Sequence, residues 1–397
     1  MTVNDAVVRL DDLIGQSRAA TVLKNAIRRD RVAHAYLFWG PDGVGKATAA
    51  GLFAQALNCE QPSPDDPAIA CGRCRSCALI ARNSHPDVRV ITTTLTRQGQ
   101  ERTEISIDQI RQDPKKPREA PRPLIQDAYL KPALGAHKVY IVDPADRMSL
   151  PAANALLRAL EDPPLHVVMV LVTEHPSTLL PTVVSRCQQV GFSLAGTAAI
   201  QERLAAMGVE PTAAASLAQL SSGRPGWAIR AAGRPEVLET RAALLELCAD
   251  LGRQPVSASL RMAEEIKLLA SDMAGGSSVA GEEPADEEAD DAAPSKVKTV
   301  PDRALRAGLP WCLDVMATWY RDCLAAAEDS MLINADRAPV IERAAAAFSC
   351  QYAEAAVDAI LSTKQQIERN ANIDLALECL AAQLAGGMSD RRPRGVS

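Results

Sequence analysis

The chain has 397 residues, with 43 Lys and Arg against 49 Asp and Glu and a formal net charge of −6 at pH 7; that length suits roughly two to four domains, each with its own core. Hydrophobic residues make up 47% and aromatics only 3%, so cores of Ala, Leu and Val are expected, and an evenly spread charge of this sign would exclude a strongly basic nucleic-acid binder. The charge is not even: Glu282, Glu283, Asp286, Glu287, Glu288, Asp290 and Asp291 form one acidic run without a base, and the remainder is close to neutral.

The first dozen residues hold Asp5, Asp11 and Asp12 and no long apolar run, which predicts no signal peptide. The longest strongly apolar stretch, Val167–Val172, is far shorter than the ~18–20 residues a membrane helix needs. A soluble, cytoplasmic protein is expected. From about Leu10 to Cys187 short apolar runs alternate with helical periodicity, as in βα units. Strands are predicted at Ala35–Trp39, Val88–Ile91, Lys138–Val142 and Val167–Val172, the last two apolar enough to lie centrally in a parallel sheet. Between them Ala153, Leu156, Leu157 and Leu160 fall at helical spacing, and Pro163–Pro164 stops that helix. Asp113–Gly135, with five prolines and several bases, is predicted as a surface insertion. Beyond about Phe192 only helical patterns are expected: Ala205–Ala218, Ala228–Arg253, Ser259–Met273, Leu305–Ala327, Val340–Leu361 and Asn370–Leu384. The acidic, Pro-containing stretch 275–295 interrupts them and is predicted to be disordered.

Gly40-Pro-Asp-Gly-Val-Gly-Lys-Ala-Thr48 follows a predicted strand and opens a predicted helix, the context of a phosphate-binding loop. Gly40, Gly43 and Gly45 would let backbone N–H groups turn toward a phosphate at a helix start, and Lys46 would reach the outer phosphates. The motif requires a magnesium-binding hydroxyl after the lysine, but that residue is Ala47. Thr48 lies about 100° further around the helix. Asp143, at the end of the Lys138–Val142 strand, stands where a magnesium-organising carboxylate belongs. The next position, normally the Glu that orients the attacking water, is Pro144; Asp146 is a weak substitute beyond the strand end. Bound ATP or ADP is compatible with this loop, magnesium should bind poorly, and hydrolysis should be weak or absent.

Cys59, Cys71, Cys74 and Cys77 are spaced C-x11-C-x2-C-x2-C. Four soft sulfurs with Cys-x-x-Cys spacing favour one tetrahedral Zn²⁺, with a redox pair as the rival reading. The loop carries little apolar content, so its folding should depend on the metal. The other six cysteines are expected to be small buried hydrophobes.

Taken together, His34-Ala-Tyr-Leu-Phe-Trp-Gly-Pro-Asp-Gly-Val-Gly-Lys46, the four cysteines, Lys138-Val-Tyr-Ile-Val-Asp143, Asn154-Ala-Leu-Leu-Arg-Ala-Leu-Glu-Asp-Pro-Pro164 and Leu180-Pro-Thr-Val-Val-Ser-Arg-Cys187 resemble the clamp-loader subunits of bacterial DNA polymerase III, and within that family its delta-prime branch. The motifs cover about residues 10–235 in order; Trp319-Tyr-Arg-Asp-Cys-Leu324 resembles the family's collar more weakly. The resemblance implies an α/β P-loop AAA+ domain over 1–190 carrying the zinc module (59–77), a helical lid over 191–234, and an all-α collar over 235–390. It also implies a place in a five-membered ring with delta and gamma/tau subunits, which sets the sliding clamp on primer-template DNA. Arg186 is then the arginine finger that closes a neighbour's ATP site, and Thr173 matches a strand-tip sensor. The alternative for Arg186 is an arginine tying a helix end to nearby carboxylates. The zinc module is structural on this reading. Motor subunits carry a lid arginine in a Gly-x-x-Arg pattern, whereas Gly223-Arg-Pro-Gly226 has Gly226 in that slot and Arg224 two positions early. Ala47, Pro144 and Gly226 all favour a non-hydrolysing member over a gamma/tau-type motor or another AAA+ ATPase. A free-standing DNA-binding protein is disfavoured by the acidic balance and scarce aromatics.

Overall fold

A computed structural model describes residues 9–93, 104–111, 122–234, 236–251, 254–275, 302–328, 330 and 332–386. Except for Gly275, the predicted disordered stretch 275–295 lies outside the described residues, as do residues 113–121 of the predicted insertion. The chain forms two compact units that divide between Ile229 and Arg230.

The first unit is built on five parallel strands: β1 (Ala35–Trp39), β2 (Val88–Ile91), β3 (Lys138–Val142), β4 (Val167–Thr173) and β5 (Gln188–Gly191), in the order β2-β3-β4-β1-β5. Helices cover both faces, the expected α/β arrangement on a parallel sheet. Alternate residues of each strand serve opposite faces. Tyr36, Phe38, Val139, Ile141, Val168 and Val170 pack with Leu23, Leu52 and Phe53 of helices Ser17–Arg28 and Lys46–Asn58. Ala35, Leu37, Tyr140, Val142, Met169 and Leu171 pack with Leu156 and Leu160 of helix Leu150–Glu161. Burial on both faces is why β3 and β4 read as unbroken apolar runs.

β5 was not among the expected strands. Its sequence, Gln-Gln-Val-Gly, buries only Val190 and carries no strand pattern. It forms because it pairs with β1 at the sheet edge, with Tyr36 opposite Gln188 and Trp39 opposite Gly191.

The helical stretch after Phe192 is more divided than the periodicity predicts. The Ala205–Ala218 pattern is two helices, Thr197–Ala206 and Pro211–Leu220, broken at Gly208 (φ 84°); the second is capped by the Glu210 carboxylate, which accepts from the N–H groups of Thr212 and Ala213. Ala228–Arg253 also divides, into Pro225–Ala232 and Glu236–Leu251, at Gly233–Arg234. Val340–Leu361 becomes Ala338–Ala347 and Cys350–Glu368, the latter capped by Ser349, whose hydroxyl accepts from the Tyr352 N–H. A cap can stop a helix without disturbing the apolar spacing on either side, so periodicity alone joins the two.

Every regular element among the described residues of the second unit is a helix. Helices Ser259–Gly275 and Asp302–Ala327 approach closely at Gly308, where a Cβ would stand 2.0 Å from the Ala270 carbonyl oxygen. Leu309, Leu313, Met316, Trp319 and Tyr320 of the long helix are fully buried. Among the described residues, no helix is long and apolar enough to cross a membrane.

Candidate functional site

β1 delivers the chain to Gly40, and helix Lys46–Asn58 begins behind Gly45, whose φ is 98°. Gly40 (φ 143°) is required sterically: a Cβ there would stand 2.2 Å from the Phe192 carbonyl oxygen, where the chain leaving β5 crosses the loop. The expected glycine-rich turn from strand to helix is therefore present, but Lys46 points back into it. Its ammonium donates to the carbonyls of Gly40 (2.7 Å) and Pro41 (2.6 Å), and the residue is buried. Burial lowers the Lys46 pKa, opposed by the nearby carboxylates of Glu174, Asp42, Asp143 and Asp146. Ala47 offers no hydroxyl, and Thr48 lies half-buried in the first helical turn.

The loop is also closed from above by backbone. The Gly226 N–H donates to the Gly43 carbonyl at 2.8 Å, and a Cβ on Gly43 would come within 3.2 Å of Arg224 Cβ. Gly226 has no side chain and contributes this amide. Residues 192–195 run between loop and lid: the Ala195 N–H donates to the Gly223 carbonyl at 2.8 Å, and Gln16 both donates to the Ser193 carbonyl (2.6 Å) and accepts from its N–H (3.1 Å). Gly223 (φ 80°) cannot be replaced without strain, since a Cβ would fall 2.9 Å from the Ala195 carbonyl oxygen.

Asp143 directly follows β3, and burial raises its carboxyl pKa, with Lys46 opposing. The Thr173 hydroxyl, at the tip of β4, donates to Asp146 at 2.8 Å and accepts from the His175 N–H at 3.1 Å. Asp146 is thus held by a strand-tip hydroxyl, and Thr173 is committed to protein partners.

Arg186 is brought to a different place. It lies two residues before the start of β5, at the N-terminal edge of the sheet, while the phosphate loop leaves the C-terminal edge of β1. Register alone separates the two by the four paired residues of β5, about 13 Å of strand. Its guanidinium is one-third exposed (36%), donating to Glu161 Oε1 at 2.8 Å and to the Thr182 carbonyl at 3.0 Å. This contact has the form of the alternative for Arg186, an arginine tying a helix end to a nearby carboxylate; the sequence did not single out Glu161, which is 25 residues away.

The four cysteines converge. Their sulfurs lie within 4.8 Å of one another; a tetrahedral zinc with Zn–S of about 2.3 Å needs sulfurs about 3.8 Å apart, so the set fits such an ion. Amides already point at the sulfurs: Cys71 N–H to Cys59 Sγ (3.2 Å), Cys74 N–H to Cys71 Sγ (3.3 Å) and Cys77 N–H to Cys74 Sγ (3.4 Å). These bonds favour thiolates. Burial alone would push the Cys71 thiol up, but the amides of Arg73 and Cys74 and the neighbouring sulfurs outweigh it and bring it down to about 7. Burial holds the Cys59 and Cys77 thiols up. The module is tied to the body by Gln55, which donates to the Cys77 carbonyl, and by a forked Arg28–Asp66 pair. Of the other cysteines, Cys187, Cys248, Cys312 and Cys323 are buried as expected, whereas Cys350 and Cys379 are exposed.

Comparison with known proteins gives two family matches: the model described as "DNA polymerase III, delta subunit" over residues 15–195, and that described as "DNA polymerase III, delta subunit, C terminal" over residues 308–385. The chain is 38% identical over 233 residues to DNA polymerase III subunit delta' of Pseudomonas aeruginosa, an alignment covering 58% of this chain and 65% of that one. It is 34% identical over 233 residues to subunit delta' of Bacillus subtilis (58% and 64% covered), and 35% identical over 196 residues to subunit tau of the same organism (49% and 31%). The chain therefore spans just under two thirds of the delta' relatives' length.

Proposed function

Because the chain belongs to the DNA polymerase III delta-subunit family, we propose that it is the delta-prime, non-catalytic member of a bacterial clamp loader. It sits in a five-membered ring with gamma/tau and delta subunits, completes a neighbouring motor's ATP site with Arg186, and helps place the sliding clamp on primer-template DNA in the cytoplasm. Its AAA+ domain is residues 1–190, its lid 191–234 and its collar 235–390.

The position of Arg186 carries this reading. A guanidinium at the opposite sheet edge from the chain's own phosphate loop cannot serve that loop, and its partial exposure supports a role toward a neighbouring subunit. Supplied from outside, it stabilises charge building on a γ-phosphate. In a reconstituted loader, Arg186→Ala is expected to lower clamp loading at least about tenfold with assembly intact, given that such fingers contribute on the order of 10³–10⁵ in simpler nucleotide hydrolases. Unchanged loading would remove the finger assignment.

Gly40, Gly43, Gly45, Lys46, Thr48, Asp143 and Thr173 form a vestigial nucleotide site. With the lysine spent on loop carbonyls, the magnesium hydroxyl replaced by Ala47 and the lid amide on Gly43, ATP or ADP binds weakly and magnesium more weakly still. The isolated chain should accordingly show no ATP turnover above background, and Lys46→Ala should leave that unchanged. Turnover at motor-like rates, abolished by Lys46→Ala, would instead select a gamma/tau-type motor. Cys59, Cys71, Cys74 and Cys77 hold a structural Zn²⁺ that folds the module and takes no part in the nucleotide chemistry.

A further inference from the structure

We propose that Glu161 is a positioning residue for Arg186, holding its guanidinium ready for the neighbouring nucleotide site; this rests on the finger reading above. Three observations support the inference. The first is that both ends of the pair are anchored in one hydrophobic cluster. Leu160, directly before Glu161, and Val183 and Cys187, around Arg186, are all buried in it. The carboxylate and the guanidinium therefore project from fixed backbone rather than from mobile loops.

Second, the bonding leaves the guanidinium usable. An arginine carries five N–H donors in a planar fork. Glu161 takes one from Nη2 and the Thr182 carbonyl takes one from Nη1, so three remain for phosphate oxygens. Two fixed acceptors on different nitrogens define the plane of the fork, and a fork fixed in advance loses less freedom when it engages a phosphate.

Third, Glu161 is placed where its charge does little else. It is the last residue of helix Leu150–Glu161, and a carboxylate at a helix C-terminus is disfavoured by the helix dipole. Its side chain is more than half exposed (54%), and Arg186 is its partner. A surface pair of this kind contributes little to folding stability. Orientation of a group that acts only in the transition state is a different matter, since small misplacements there cost large factors in rate.

The test uses the complete loader, assembled with this chain as wild type or as Glu161→Ala, Glu161→Gln, Glu161→Lys, Arg186→Ala, or the Arg186→Ala/Glu161→Ala pair. ATP turnover is measured in the presence of clamp and primed DNA. Glu161→Ala is expected to lower kcat about tenfold with KM for ATP little changed, and to leave assembly and melting temperature as in wild type. Glu161→Gln keeps an acceptor oxygen and should recover most of the rate, while Glu161→Lys should fall below Glu161→Ala. The double variant should be no slower than Arg186→Ala alone, a result that a purely structural role for Glu161 would not produce. Wild-type or faster turnover in Glu161→Ala overturns the inference, and so does an additive double variant. If Glu161→Ala does not assemble, equal rates for Glu161→Gln and Glu161→Lys overturn it. Failure of the finger reading itself is recognised separately, by an Arg186→Ala loader that turns over normally.

Discussion

Replacing Asp322 with alanine should destabilise the helical unit by about 3–5 kcal/mol, the cost typical of stripping one partner from a buried charged network. Asp322 belongs to the Trp319–Leu324 motif, and its side chain is fully buried. It accepts from the Ile333 N–H (2.9 Å), the Asn334 N–H (2.6 Å) and Asn334 Nδ2 (2.9 Å). Asn334 Oδ1 in turn accepts from Arg241 Nη2 at 2.8 Å, and the same buried guanidinium forks onto both oxygens of Asp336 at 2.8 and 2.6 Å. One carboxylate thus ties helix Asp302–Ala327 to the loop at 333–334 and, through Asn334, to helix Glu236–Leu251. Alanine would leave the buried Asn334 N–H and the partly buried Ile333 N–H without this acceptor, each costing about 1–3 kcal/mol before relaxation, while Asn334 Nδ2 keeps its bond to Thr318 Oγ1 at 3.0 Å. In a unit of this size the melting temperature should fall on the order of 10 °C. Arg321→Ala is the control, since that guanidinium is 53% exposed and reaches Asp322 only at 3.3 Å; it should change stability by less than about 1 kcal/mol. A melting temperature for Asp322→Ala within a degree or two of wild type would show that the network is redundant.

Metal removal should produce the largest local effect. The segment 59–77 places few residues in a hydrophobic core of its own beyond the cysteines and Ala70, and apparent zinc contributions of about 10–16 kcal/mol are known for small thiolate-bound modules. The protein is expected to carry one equivalent of zinc. Chelation, or Cys74→Ser, should remove it and open the stretch between Cys59 and Arg82 to proteolysis while the sheet persists. Cys350→Ser, at an exposed cysteine outside the cluster, should retain the full equivalent. A Cys74→Ser protein that still binds one zinc with unchanged stability would falsify the four-thiolate assignment.

Much of this fold and site could be read without coordinates, for reasons that differ between elements. β1, β3 and β4 were legible because burial on both faces writes itself into consecutive residues. The phosphate loop was legible because its shape depends on glycines next to one another in the chain. The grouping of Cys71, Cys74 and Cys77 follows from spacing. Cys59 joins them through the intervening turn, where the Ser63 N–H donates to the Ile69 carbonyl and the Ile69 N–H to the Asp66 carbonyl. β5 was not legible, since four largely polar residues become a strand only when an edge of β1 is available to pair with.

By itself, then, the sequence determined the α/β character of the first unit, the all-helical character of the second, the phosphate loop and its missing hydroxyl, and the four-sulfur set. All of these rest on contacts between near neighbours or on periodicity along one element. Only tertiary structure decided that Lys46 is turned onto its own loop, that the Gly226 amide seals Gly43 from 183 positions away, that Arg186 stands on Glu161 at the far sheet edge, and that Asp322 and Arg241 meet through Asn334. In each case a polar group must find a partner once water is excluded, and packing, not spacing along the chain, determines which partner is within reach.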